Sequence, residues 1–109
     1  MGITKTEEFT EQQNKLAVIA KAIGHPARIA ILQFLSTSQS CICGDIVHVL
    51  PLAQPTVSQH LKELKNAGLI KGTIEGKTIC YCIDTDGLSV IQNFFGELMS
   101  NVSNINKCC

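Results

Sequence analysis

Six cysteines in a chain of 109 residues fall into three close pairs: Cys41-Ile42-Cys43, Cys80-Tyr81-Cys82 and Cys108-Cys109. Thiolates are soft ligands, and sulfur-only sites select arsenic(III), antimony(III), copper(I), cadmium or zinc over hard cations. The same groups carry redox chemistry through sulfenate or disulfide. The N-terminus is polar and of mixed charge, with no signal-peptide core, so the expected compartment is the reducing cytoplasm. There structural disulfides are disfavoured and free thiolates prevail. Cys41 and Cys43 stand where a loop should enter a short helix. Residues two apart on a regular helix point to nearly opposite sides. The two thiols therefore share one ion only if this stretch is extended or its first turn distorted. On a strand, Cys80 and Cys82 would share one face, opposite Ile79, Tyr81 and Ile83, which are expected to face the core. Their Cα atoms would lie about 7 Å apart, too far for an easy disulfide yet close enough to offer two thiolates to one soft ion.

The elements that would position these thiols are led by residues 54–70, QPTVSQHLKELKNAGLI. Pro55 suits a first helical turn. Val57, Leu61 and Leu64 recur at helical spacing and make an inward stripe. The other face is expected to present Gln54, Thr56, Ser58, Gln59, His60, Lys62 and Lys65, short hydrogen-bonding groups first and cations later. That order suits a helix whose N-terminal end meets base edges while its flank meets phosphate. Gly68 supplies a left-handed stop. Two runs rich in β-branched residues follow, 69–73 and 78–83, around Ile74-Glu75-Gly76-Lys77, which is a hairpin signal. Lys71 and Lys77 flank its tip and could lie along a DNA backbone. A helix running straight into such a hairpin is the order of a winged helix-turn-helix.

Upstream, His25-Pro26 breaks the chain, and Pro26 opens a helix expected to carry Ile29, Ile31, Leu32 and Leu35 inward. Residues 45–50 read as the short helix before the turn Pro51-Leu52-Ala53. Leu16, Ile19, Ala20 and Ile23 form one apolar stripe; Leu88, Ile91, Phe95, Leu98 and Val102 form another near the C-terminal end. A terminal seam in so small a chain has little core to meet, so a second subunit is the expected partner. The whole reads as one domain, 1–109. Helices at about 8–24 and 86–103 dimerise it, 43–68 form the helix-turn-helix, 69–84 the wing, and 104–109 a flexible Cys-bearing tail. The fold class is mainly α with a small β-hairpin, in the order α-α-α-α-β-β-α.

Net charge is formally zero, but its distribution matters more for nucleic acid. Residues 54–77 carry four lysines (Lys62, Lys65, Lys71, Lys77) against two glutamates (Glu63, Glu75), a local excess of two. No apolar run approaches the roughly 18 residues of a membrane helix.

Several stretches in one register resemble the ArsR/SmtB family of metal-sensing bacterial repressors: Lys21-Ala22-Ile23-Gly24-His25-Pro26-Ala27-Arg28-Ile29-Ala30-Ile31-Leu32, Gln54-Pro55-Thr56-Val57-Ser58-Gln59-His60-Leu61, Ala67-Gly68-Leu69-Ile70, Glu75-Gly76-Lys77 and Cys80-Tyr81-Cys82-Ile83. The resemblance implies a homodimer built by the first and last helices. It also implies metalloid binding at the Cys-x-Cys pair, Cys41 and Cys43. One departure is Ala53, where many relatives carry a capping serine. Another is Gly44, inserted before Asp45, with Ile46 or Val47 where the arsenic pattern has a third cysteine. The third ligand must come from elsewhere: Cys108 or Cys109 from the tail, with Cys80 and Cys82 as the alternative. The last helix holds no histidine, and residues 1–40 no cysteine, so two other metal sites of the family cannot be carried over.

Together these observations lead to an expected repressor that binds double-stranded operator DNA without a cofactor. It would be released when thiolates capture arsenite or antimonite, with other thiophilic ions as further inducers. One alternative keeps the fold and makes the cysteines a redox switch. A more distant one, a small thiol enzyme or metallochaperone, lacks a Cys-x-x-Cys motif and has only His48 near in sequence to its thiols.

Overall fold

The computed structural model describes residues 8–38, 41–43, 45–48 and 50–104. Among these residues the chain forms helices α1 (Glu11–Ala22), α2 (Pro26–Ser36), α3 (Gln54–Asn66) and α4 (Thr85–Ser103). Its strands are β1 (Ile42–Cys43), β2 (Ile70–Glu75) and β3 (Thr78–Ile83), and a 3-10 turn spans Asp45–His48. Local chemistry sets the helix starts. Thr10 closes a capping box with Gln13 on α1. The imidazole of His25 accepts from the Ala27 amide at 3.0 Å, and Pro26 opens α2 behind it. Such caps satisfy amides that the helix cannot.

The core is one cluster. Ile19 of α1, Ile31 and Leu35 of α2, Ile46 of the 3-10 turn, Val57, Leu61 and Leu64 of α3, and Leu69 and Ile70 beyond it are all buried. On α2 the inward stripe is Ala27, Ile31 and Leu35, at i, i+4 and i+8. Ile29, expected inside, is 47% exposed, because it sits two residues from Ile31 and so on the far side of the helix. Leu88, Val90 and Ile91 of α4 pack against the core from outside.

Two features differ from the expected element order. The short helix at 45–50 is a 3-10 turn over Asp45–His48, and a two-residue strand precedes it. That strand gives a three-stranded antiparallel sheet in the order β1-β3-β2, with Ile42 opposite Tyr81 and Cys43 opposite Cys80. The hairpin is also longer than expected. Glu75 pairs with Thr78, leaving Gly76-Lys77 as a two-residue loop. Gly76 has φ 65° while no non-glycine residue has positive φ among those described, the pattern of a type II′ turn.

A candidate nucleic-acid interface and a thiol cluster

Helix α3 packs on α2, on the 3-10 turn and on β2, which holds its buried stripe inward and leaves the other face free. Its N-cap, Ala53, has extended backbone and makes no side-chain cap. The C-terminal end is a Schellman stop. Gly68 has φ 83°, its amide donates to the Lys65 carbonyl, and the Leu69 amide donates to the Leu64 carbonyl, both at 3.0 Å. The helix thus ends abruptly and delivers β2.

Gln54, Thr56, Ser58, Gln59, Lys62 and Lys65 are exposed along α3, and Lys71 and Lys77 are exposed on the hairpin. Gln59 donates to the Glu63 carboxylate at 3.0 Å, so its amide must let go of Glu63 before it can reach a base. Gly72 lets Lys65 lie across the sheet: a Cβ there would stand 3.5 Å from Lys65 Cδ and 3.2 Å from the Tyr81 ring.

His60 is a correction. It was expected on the outer face, yet it is 8% exposed and lies between the helices. Its Nδ1 accepts from Arg28 Nε at 3.1 Å, and its ring centroid is 4.4 Å from that of His25. Arg28 also donates through Nη1 to the Ala22 carbonyl at 3.1 Å. Burial, then the charges of His25 and Arg28, hold the His60 pKa below the ordinary histidine range. The neutral ring with its proton on Nε2 is therefore the form that suits the site, since an imidazolium could not accept from a guanidinium. Arg28 is the anchor of this inter-helix network.

The thiols meet where β1 joins the sheet. Cys41 and Cys82 are joined as a cross-strand disulfide, their Cα atoms 4.6 Å apart. Cys80 also takes part in a disulfide and is 0% exposed. This departs from the expectation that free thiolates prevail, and the reason is β1: an unforeseen strand sets the first cysteine pair against the second. Tyr81 and Ile83 pack against the core as expected, but Ile79, nearer the tip, is 45% exposed. Cys41 and Cys43 lie in and beside an extended stretch, the condition under which they could share one ion. Cys108 and Cys109 lie outside the described residues. Among the described residues, no group of three or more His, Cys, Asp or Glu is placed to hold a metal ion.

A helix presented beside a basic β-hairpin, on this element order, defines a winged helix-turn-helix protein. Residues 25–71 match the model of the bacterial regulatory protein, arsR family. An HTH-type transcriptional regulator of Methanocaldococcus jannaschii is 40% identical over 81% of this chain and 99% of its own length. The arsenical resistance operon repressor of Staphylococcus xylosus is 31% identical over 72% of this chain and 74% of its own. A solution structure described as a homodimeric winged helix-turn-helix DNA-binding domain from Mycobacterium bovis has the same fold, with TM-score 0.66 and 20% identity over 99% of this chain and 98% of that one. The chain belongs to the ArsR family of transcriptional repressors. Its relatives regulate transcription, which sets aside the thiol-enzyme alternative. Among the described residues, no single helix is long and apolar enough to cross a membrane.

Proposed function

We propose that the protein is a cytoplasmic, homodimeric repressor that holds its operator when its thiols are empty and releases it when they capture arsenite or antimonite. The observation that carries the DNA reading is the exposed face of α3 that presents Gln54, Thr56, Ser58, Gln59, Lys62 and Lys65, extended by Lys71 and Lys77 on the wing. Two copies supply what a formally neutral chain lacks in affinity for phosphate. Phe95, Leu98, Met99 and Val102 are exposed on α4, and a second copy would cover that apolar seam. A two-fold dimer would set its two reading helices about 34–36 Å apart, for a pseudo-palindromic site.

The inducer reading is supported by cysteine chemistry and by the name of the Staphylococcus xylosus relative. Cys41 and Cys43 are the first ligands, completed by Cys108 and Cys109 or by Cys80 and Cys82. Coupling of about 1–3 kcal/mol would weaken operator binding 5- to 150-fold, and DNA would weaken ion binding by the same factor. The Cys41–Cys82 disulfide favours a second reading, in which an oxidant rather than an ion drives release.

An operator gel shift titrated with arsenite, antimonite, zinc, cadmium and peroxide separates these readings. Release by metalloid at concentrations where the thiols stay reduced is the expected result. Operator binding that survives saturating arsenite and antimonite would refute the switch while leaving DNA binding intact.

A further inference from the structure

Cys41 and Cys82 are 41 residues apart in sequence, and the sheet brings their Cα atoms to 4.6 Å. Residues whose Cα atoms lie about 4.4–6.8 Å apart can aim their sulfurs at one another, and hence at one shared atom. The pair lines an open cleft of about 400 Å³ together with Leu35, Ser36, Ser38, Ile83 and Thr85. Both cysteines are half-buried, unlike Cys80, so solutes can reach them from the cleft. The location also suits signalling. Cys82 is paired directly with Lys71 of β2. Cys41 precedes β1 and the 3-10 turn, whose Ile46 is buried in one cluster with Val57 and Leu61 of α3.

We propose that Cys41 and Cys82, when reduced, form a dithiol site for trivalent arsenicals, and that their disulfide is the same site closed to them. This rests on the thiol-sensing reading above but keeps only Cys41 of its first two ligands, with Cys82 in place of Cys43. In capture, two As–S bonds form and two As–O bonds break. The thiol protons leave with the displaced hydroxides as two waters, and arsenic remains trivalent. In closure, a low-molecular-weight disulfide accepts two electrons: its S–S bond breaks, the Cys41–Cys82 bond forms, and the two thiol protons pass to the released thiols. Each event consumes both sulfurs, so each excludes the other.

The probe is phenylarsine oxide, whose hydrated form has two exchangeable oxygens to match two sulfurs. The full chain is reduced, treated with one equivalent, alkylated and mapped by mass spectrometry. The first equivalent should protect Cys41 and Cys82 from alkylation, both in the unaltered protein and in the Cys108→Ser/Cys109→Ser variant. Cys41→Ser and Cys82→Ser should each lose that adduct. Prior treatment with a small disulfide should abolish it, and dithiothreitol should restore it. A first equivalent that leaves Cys41 and Cys82 open to alkylation overturns the proposal, as does undiminished adduct on the oxidised protein. Operator affinity is read on the same samples. An adduct at this pair without operator release refutes the inducer reading and leaves the site standing.

Discussion

Replacing His60 tests whether the middle of α3 works inside the protein or against DNA. In His60→Leu the Arg28 Nε loses its acceptor at 3.1 Å, and Arg28 keeps the Ala22 carbonyl through Nη1. An unmet polar donor costs about 1–3 kcal/mol when buried, and Arg28 is only half-buried, so about 1–2 kcal/mol is expected. At about 4–8 °C per kcal/mol for a domain near this size, the melting temperature should fall by roughly 5–15 °C. It must be read at fixed protomer concentration, because the stability of a dimer shifts with concentration. His60→Asn places an amide oxygen near the former Nδ1 and should recover much of the loss. The pH dependence adds a second readout. Because the folded pKa is lowered, the unfolded chain takes up a proton first as pH falls, and the folded state is disfavoured. Stability should therefore be level above about pH 6.5 and decline as pH drops below it toward the folded value. His60→Asn should flatten that decline. Superimposable pH profiles for the unaltered and Asn proteins would refute the buried-imidazole argument. So would a His60→Leu protein of unchanged melting temperature that no longer binds its operator.

Five further substitutions probe other positions. Ala53 has the extended backbone of an N-cap without a side-chain acceptor, so Ala53→Ser should stabilise the protein by about 0.5–2 kcal/mol; an unchanged denaturation midpoint would count against it. A Cβ at Gly87 would overlap the Gly68 carbonyl, and Gly87→Ala should destabilise by about 1–3 kcal/mol through overpacking, in contrast to Gly96→Ala, where nothing lies within 4 Å and the helix should gain about 0.5–1 kcal/mol. Lys71→Ala and Lys77→Ala should weaken binding across all sequences and each reduce the slope of log affinity against log salt by about 2, one for each protomer of the dimer; unaltered slopes would remove the wing from the interface.

Much of α3 and the hairpin is legible in the sequence because it is written in local chemistry. The period of Val57, Leu61 and Leu64 orients α3, and Gly68 and Gly76 fix the two backbone reversals that glycine alone takes easily. His60 was misplaced although its slot was marked. It stands three residues after Val57 and four before Leu64, on the buried stripe itself, so its position points inward where its polarity points outward. Its partner lies 32 residues away on α2, so the acceptor that makes a buried imidazole tolerable could not be seen from α3. Strand β1 carries no signal of its own. Two residues have no periodicity, and the strand exists only because the edge of β3 offers it a register. Without β1 nothing in the sequence sets Cys41 against Cys82, and the tail cysteines are then the nearest alternative.

That short strand also changes how the wing is held. With β2 alone, the hairpin would hang from the end of α3 and could swing about Gly68. Strand β1 grips the other edge of β3, so the wing is tied to the helix-turn-helix from both sides. A third tie comes from α4, where the Asp84 amide donates to the Leu69 carbonyl at 2.9 Å and Gly87 lies against the Gly68 backbone. In the proposed dimer α4 forms part of the seam, so the joint between α3 and β2 is fixed to the element that sets subunit spacing. A perturbation of the β1–β3 edge then cannot be absorbed by a loose wing. It must shift Lys71 relative to α3 or strain the Gly68–Gly87 contact, and either changes how two reading helices fit one operator.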